Sequence, residues 1–149
     1  MSKTKQALLA ILVAMTFFIF APGTALSQVS TPVPKEIILG AALPLTGGQS
    51  REGGYVNKAY AMALKEINDA GGIMVKAYGK KIPIKLIIYD DKSDAKEAVN
   101  LAEKVITVDK VDLLLGGYPG TACTAVMPLA EKYKMVYVSM GGHMKSFSQ

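Results

Sequence analysis

The chain has 149 residues, half of them apolar, with one cysteine, one histidine, no tryptophan and a formal net charge of +5. This length fits one domain, the single cysteine excludes an intrachain disulfide or a cysteine-built zinc site, and one histidine leaves little material for a catalytic triad. The 17 basic residues are scattered, whereas nucleic-acid binding needs them clustered on one face. We therefore expect a protein that is not an enzyme, with no cofactor, no metal and no nucleic-acid partner.

The N-terminus has the pattern of an export signal. Lys3 and Lys5 precede an uninterrupted apolar run over residues 7–21, and small residues follow it. A helix of that length spans roughly 22 Å, less than the ~30 Å core of a bilayer, which favours a cleaved signal over an uncleaved membrane anchor. We predict a signal peptide over residues 1–27, a tether over 28–35, and a periplasmic or otherwise exported mature protein.

From residue 36 onward, strand and helix patterns alternate along the chain. Near-continuous apolar runs of five to eight residues predict strands covered on both faces, and apolar residues at helical spacing predict amphipathic helices between them. The predicted strands are 37–43, 82–89, 111–115 and 135–139, and the predicted helices are 56–67, 94–106 and 121–133. Helix-length connections between buried strands predict an α/β fold with a doubly wound parallel sheet.

Several residues mark the ends of these elements. Gly71 and Gly72 stop the first predicted helix, and Asp94 lies three residues before Glu97, an arrangement that caps a helix start. Pro128 falls inside the third predicted helix, where we expect a kink or a restart because proline removes a hydrogen bond.

Three glycine-rich loops follow strands of the predicted sheet, over residues 44–54, 116–121 and 140–143. Sheets of this kind bind ligands outside the carboxyl ends of their strands, and glycine lets backbone N–H groups approach a ligand closely. Two of the loops lead into helix N-termini, which favour anions such as a carboxylate. Glycines also serve only to make tight turns after strands, and spacing alone leaves both interpretations open. Neither nucleotide-binding glycine fingerprint is present.

Other polar residues have a structural interpretation beside the functional one. Asp90 and Asp91 are expected to form a turn at a strand end rather than an acid/base pair, because adjacent strand residues point to opposite faces. Cys123 is expected to be a small buried thiol. His143 is a candidate ligand contact, with a surface position as the alternative.

Five segments carry a resemblance to a known family. They are Ile37–Gly47, Ala63–Ile73, Tyr89–Asp94, Gly116–Tyr118 and Ala130–Lys134. Together they resemble the type I periplasmic binding proteins, and more narrowly the branched-chain amino-acid (leucine-binding protein-like) substrate-binding components of ABC importers. The resemblance implies a two-lobed clamshell that traps a ligand between its lobes. Residues 36–149 would then be a partial N-terminal lobe, either a fragment or the product of a truncated gene.

The resemblance also implies which residues contact the ligand. In this family the first lobe holds the α-carboxylate and α-ammonium groups through the loops after strands three and four. The corresponding residues here are Tyr118, Gly120, Thr121, Gly141, Gly142 and His143. Gly120 stands where the family often has serine and His143 where threonine is expected, so the ligand stays open between branched-chain amino acids and other amino acids, amides or small carboxylates.

The implied function is delivery of a small molecule to an ABC permease in the inner membrane. A sensory ligand-binding domain of the same fold and a small exported α/β enzyme are the alternatives. Because half of the ligand contacts belong to the second lobe, we expect this segment alone to bind amino acids weakly or not at all.

Overall fold

The computed structural model describes residues 32–140. The chain divides into two compact units, Met1–Pro32 and Val33–Gln149, and the description below concerns the second. The predicted signal peptide, the first half of the tether (28–31), and Gly141, Gly142 and His143 lie outside the described residues.

Strands and helices alternate through the described residues. In chain order they are β1 (Ile37–Leu43), α1 (Ser50–Asp69), β2 (Ile73–Val75), β3 (Lys80–Ile82), β4 (Ile84–Asp90), α2 (Ala95–Thr107), β5 (Leu113–Leu115), α3 (Gly120–Lys132) and β6 (Tyr137–Val138). Within residues 32–140, no helix has both the length and the apolar character needed to cross a membrane.

Four strands form a parallel sheet in the order β4-β1-β5-β6. Strand β1 lies inside the sheet, with Leu39 paired to Leu86 of β4 and to Leu113 of β5. Since each neighbouring strand is reached through a helix, the sheet is doubly wound, and the predicted fold class is confirmed.

The two faces of the sheet bury separate apolar clusters. On one face, Ala41 and Leu43 pack against Val56 of α1. On the other, Leu114 packs against residues of α2 and α3, namely Ala102, Val105, Val126, Leu129 and Ala130. This alternation along β1 and β5 follows from the two-residue period of a strand.

The segment between α1 and β4 differs from the prediction. The strand predicted over 82–89 is β4, which begins two residues later, and before it β2 and β3 form an antiparallel hairpin that the sequence analysis did not predict. Pro83 separates β3 from β4. Proline has no backbone N–H group, so a single hydrogen-bonded ladder cannot run through this position. Gly72, at φ +100°, packs so closely that a Cβ atom would lie 2.2 Å from the Ile82 carbonyl oxygen.

The helix ends also correct the prediction in part. Helix α1 begins at Ser50, six residues before the predicted start, and α3 continues through Pro128 rather than restarting there. The cap at Asp94 is confirmed, because its carboxylate accepts a hydrogen bond from the Glu97 N–H at 2.8 Å.

Candidate ligand-binding site

All four strands of the parallel sheet end at one edge, which we call the carboxyl edge. It comprises the residues that follow β1, β4, β5 and β6: 44–49, 91–94, 116–121 and 139–140. A Cβ atom on Gly117 would lie 2.4 Å from the Ala42 carbonyl oxygen, and one on Gly116 would lie 2.8 Å from the Ser139 Cα. The chain therefore passes closely between its neighbours as it leaves β5, and only glycine fits at these two positions.

Asp90 joins the loop after β1 to the loop after β4. Its Oδ1 accepts hydrogen bonds from the N–H groups of Leu45, Thr46 and Lys92, and its Oδ2 accepts one from the Thr46 hydroxyl at 2.7 Å. Partial burial raises the pKa of this carboxyl group, but the hydrogen bonds outweigh it and hold the pKa below its ordinary value. The ionised Asp90 side chain thus links the loop after β1 to the loop after β4, in agreement with the predicted structural role.

Several backbone donors of the loop after β1 are bound by Asp90 and by the loop after β4. Besides the two N–H groups bound by Asp90, the Gln49 N–H donates to the Ser93 hydroxyl, which itself donates to the Thr46 carbonyl. Gly47, at φ +83°, leaves no space for a side chain beside Lys92 and Ser93. At this loop Gly47 makes a tight turn against the loop after β4.

The loop after β5 leads into the first turn of α3. Among the described residues, the backbone N–H groups of Gly117, Tyr118, Gly120 and Thr121 have no hydrogen-bond acceptor. Helix α3 starts at Gly120 with no side-chain cap from Pro119, so its first donors and the positive end of its dipole lie open at the carboxyl edge. Unsatisfied donors at a helix start are suited to an anion such as a carboxylate.

The predicted site residues fall on both sides of the described boundary. Tyr118 is 41% exposed, Thr121 is exposed, and Gly120 is half-buried, all within this loop and the first turn of α3. Gly141, Gly142 and His143 lie outside the described residues, although Ser139, just before them, lies beside Gly116.

A buried polar layer beneath this loop was missed by the sequence analysis. The Tyr60 hydroxyl of α1 donates to the Gly116 carbonyl at 2.5 Å, and the Cys123 thiol of α3 donates to the Gly117 carbonyl at 3.2 Å. Burial, followed by the nearby Cys123 thiol, raises the pKa of Tyr60 to about 12 and also raises that of Tyr137. These phenols stay protonated and remain donors across the neutral pH range. Cys123 is buried, as predicted.

The described residues hold no group of three or more histidine, cysteine, aspartate or glutamate side chains placed to bind a metal ion. Asp91 is 1% exposed, and its Oδ1 accepts the Ser93 N–H at 2.9 Å. Burial raises its pKa, although the hydrogen bond from Ser93 opposes this. Asp90 and Asp91 thus accept hydrogen bonds from different partners.

Comparisons with known proteins agree with this fold. The model of the periplasmic binding protein family matches residues 36–148, and the chain belongs to that family. It is 36% identical over 83 residues to the Leu/Ile/Val-binding protein homolog 1 of Brucella abortus, covering 56% of this chain and 20% of that protein.

Two solved structures extend the likeness. The branched-chain amino acid transporter substrate binding protein of Streptococcus pneumoniae, in complex with isoleucine, superposes with a TM-score of 0.63 at 28% identity over 74% of this chain and 30% of its own. An ABC-transporter solute binding protein of Rhodopseudomonas palustris, in complex with 3,4-dihydroxybenzoic acid, gives 0.60 at 28% identity over 75% and 29%. The resemblance to amino-acid-binding components of ABC transporters is confirmed, and the chain spans less than a third of the length of these relatives.

Proposed function

We propose that this chain is part of the substrate-binding component of an ABC importer for amino acids of the branched-chain type or related small carboxylates and amides. Residues 36–149 would form part of an N-terminal lobe, preceded by an export signal over 1–27 and a tether over 28–35. The observation that carries the proposal is the set of unpaired backbone donors on the loop after β5, at the edge where doubly wound sheets bind ligands.

The chemistry of the bound ligands supports a carboxylate at this position. Isoleucine and 3,4-dihydroxybenzoic acid, the ligands of the two related proteins, share a carboxylate and little else. In our proposal the carboxylate accepts hydrogen bonds from the Gly120 and Thr121 N–H groups and from the Thr121 hydroxyl, at the positive end of α3. Tyr118 would form part of the pocket wall, and Gly141, Gly142 and His143 would complete the contacts.

A second lobe would supply the remaining contacts and exclude water. The loop after β5 is open on one side, and an exposed carboxylate site competes with water for every hydrogen bond. Closure of a second lobe over the carboxyl edge would bury the ligand, and the closed form would then deliver it to a permease in the inner membrane. No bond is made or broken in this process, so the proposed protein is not an enzyme.

The test is calorimetric titration of the full-length, two-lobed protein with isoleucine and with 3,4-dihydroxybenzoate. Thr121→Val removes one hydroxyl donor at constant shape, and we expect it to weaken binding roughly 5- to 15-fold, about 1–1.5 kcal/mol. Thr107→Val is the matched control, since that hydroxyl donates to the Glu103 carbonyl on α2, away from the carboxyl edge. An unchanged affinity in Thr121→Val would reject the assigned contact, and the absence of binding to any small carboxylate would reject the function.

A further inference from the structure

A hydrogen bond from Tyr60 joins α1 to the loop after β5. Tyr60 packs with the apolar cluster of Ala41, Leu43 and Val56, yet its hydroxyl passes beyond that cluster to the Gly116 carbonyl, 56 residues away in sequence. A phenol is not needed to fill this apolar layer. The polar end of the side chain serves the backbone after β5.

The backbone at Gly116 and Gly117 is held on several sides. The Gly116 N–H donates to the Val138 carbonyl at 2.7 Å, which keeps the residue beside β6. The carbonyls of Gly116 and Gly117 are bound by Tyr60 and Cys123, from helices that pack on opposite faces of the sheet. Two consecutive carbonyl groups are therefore held by side chains rather than by the sheet ladder.

The orientation of these two carbonyls fixes the orientation of the N–H groups that follow them. In a planar trans peptide, the C=O of one residue and the N–H of the next point in opposite directions. Binding of the Gly116 carbonyl by Tyr60 therefore orients the Gly117 N–H away from α1, and binding of the Gly117 carbonyl by Cys123 orients the Tyr118 N–H away from α3. These are the first two of the unpaired donors at the carboxyl edge.

Two consecutive glycines would not hold this orientation by themselves. Glycine populates both halves of backbone conformational space, so no Cβ atom at Gly116 or Gly117 opposes rotation of the peptide between them when its carbonyl is released. A rotated peptide would present a carbonyl oxygen where the site needs an N–H, and an anion would be repelled rather than bound. The orientation of this single peptide thus matters for carboxylate binding.

We propose that Tyr60 is a positioning residue, which fixes the peptide between Gly116 and Gly117 so that the loop after β5 presents its donors to the ligand. The inference rests on the proposed function, because the donors matter only if that edge binds an anion. Tyr60 itself does not touch the ligand. The hydrogen bond through which it acts is partly buried, which limits its replacement by water.

The test compares Tyr60→Phe with Tyr133→Phe in the full-length protein. Both substitutions remove one phenolic hydroxyl and one short hydrogen bond, since Tyr133 donates to the Glu103 carboxylate at 2.6 Å, between α3 and α2. We expect both to lower the melting temperature by a few degrees. Only Tyr60→Phe should weaken isoleucine or 3,4-dihydroxybenzoate binding, by roughly 10-fold, the ratio that one hydrogen bond of this kind is worth.

A second measurement reads the loop directly. In ¹⁵N-labelled, ligand-free protein, Tyr60→Phe should shift the Gly117 and Tyr118 amide resonances and speed their hydrogen exchange, and Tyr133→Phe should leave both unchanged. Equal affinity losses in the two variants, or unchanged Gly117 and Tyr118 amides in Tyr60→Phe, would overturn the positioning role. If the wild type binds no carboxylate while those amides do change, the proposed function fails and the loop-ordering role of Tyr60 stands.

Discussion

Two adjacent glycines in the first turns of α1 should respond to alanine in opposite directions. At Gly54 a new Cβ atom would find nothing within 4 Å, whereas at Gly53 it would lie 2.1 Å from the Pro44 carbonyl oxygen. Both positions are helical, so the backbone contribution of glycine to alanine is the same, a gain of about 1 kcal/mol. The pair therefore isolates the contact between α1 and the loop after β1.

The magnitude follows from that contact. Since Cβ atoms essentially never approach a backbone oxygen closer than 3.0 Å, Gly53→Ala must move α1 from the loop by about 1 Å. Such overpacking costs typically 1–3 kcal/mol, which exceeds the helical gain. We expect Gly54→Ala to be about 1 kcal/mol more stable than the wild type and Gly53→Ala about 1 kcal/mol less stable.

Thermal unfolding followed by circular dichroism measures the difference. About 2 kcal/mol between the two variants corresponds to a difference in melting temperature of roughly 8–10 °C for a domain of this size. Equal melting temperatures, or a more stable Gly53→Ala, would show that α1 does not approach Pro44 in this way, and the described geometry of the carboxyl edge would be wrong.

Two other substitutions test the core and the carboxyl edge. Leu43→Ala removes a side chain with no exposed surface, and we expect it to lower the free energy of unfolding in urea by about 2–5 kcal/mol. Met62→Ala is the control, because that side chain is 73% exposed and its loss should change stability by less than about 0.5 kcal/mol. A small effect at Leu43 would contradict the described core. Asp90→Ala should lower the free energy of unfolding by about 1–2 kcal/mol at neutral pH, because four donors lose their acceptor and water satisfies them only in part. Asp109→Ala is the control: it removes the acceptor of one hydrogen bond, from Tyr89, and should cost less than about 1 kcal/mol. Because the folded pKa of Asp90 is lowered, the stabilisation from its charge is fully present above the ordinary value of 3.8 and is lost as the pH falls through the folded pKa; a wild-type advantage that grows in acid would contradict this sign.

The main sheet could be predicted from the sequence because its signals are local. Strands β1 and β4 are near-continuous apolar runs, and α2 has both an apolar stripe and the Asp94 cap, so pattern and structure agree. The start of α1 was predicted wrongly because Gly53 and Gly54 are typical of a loop, although both lie in the helix. At Gly53 the absence of a side chain allows the Pro44 carbonyl to approach the helix. The β2–β3 hairpin was missed because each strand has only three residues and its exposed lysines give no apolar alternation.

The candidate site shows the same division between local and distant signals. The topological rule for doubly wound sheets indicates the loop at Gly116–Thr121 without any knowledge of contacts. It indicates the loop after β1 equally, and it does not reveal that Asp90 and Ser93 accept hydrogen bonds from the Leu45, Thr46 and Gln49 N–H groups there. Tyr60 could not be identified at all, because its partner lies 56 residues away and a tyrosine at a helical apolar position is typical of a core residue.

A crystal structure of the full-length protein with isoleucine would test the proposal most directly, through the distance between the ligand carboxylate and the start of α3. Our account predicts the ligand carboxylate within about 3 Å of the Gly120 or Thr121 backbone nitrogen, with the Gly116 carbonyl still bound to Tyr60. A ligand bound away from the first turn of α3, or one whose carboxylate faces only the second lobe, would contradict it.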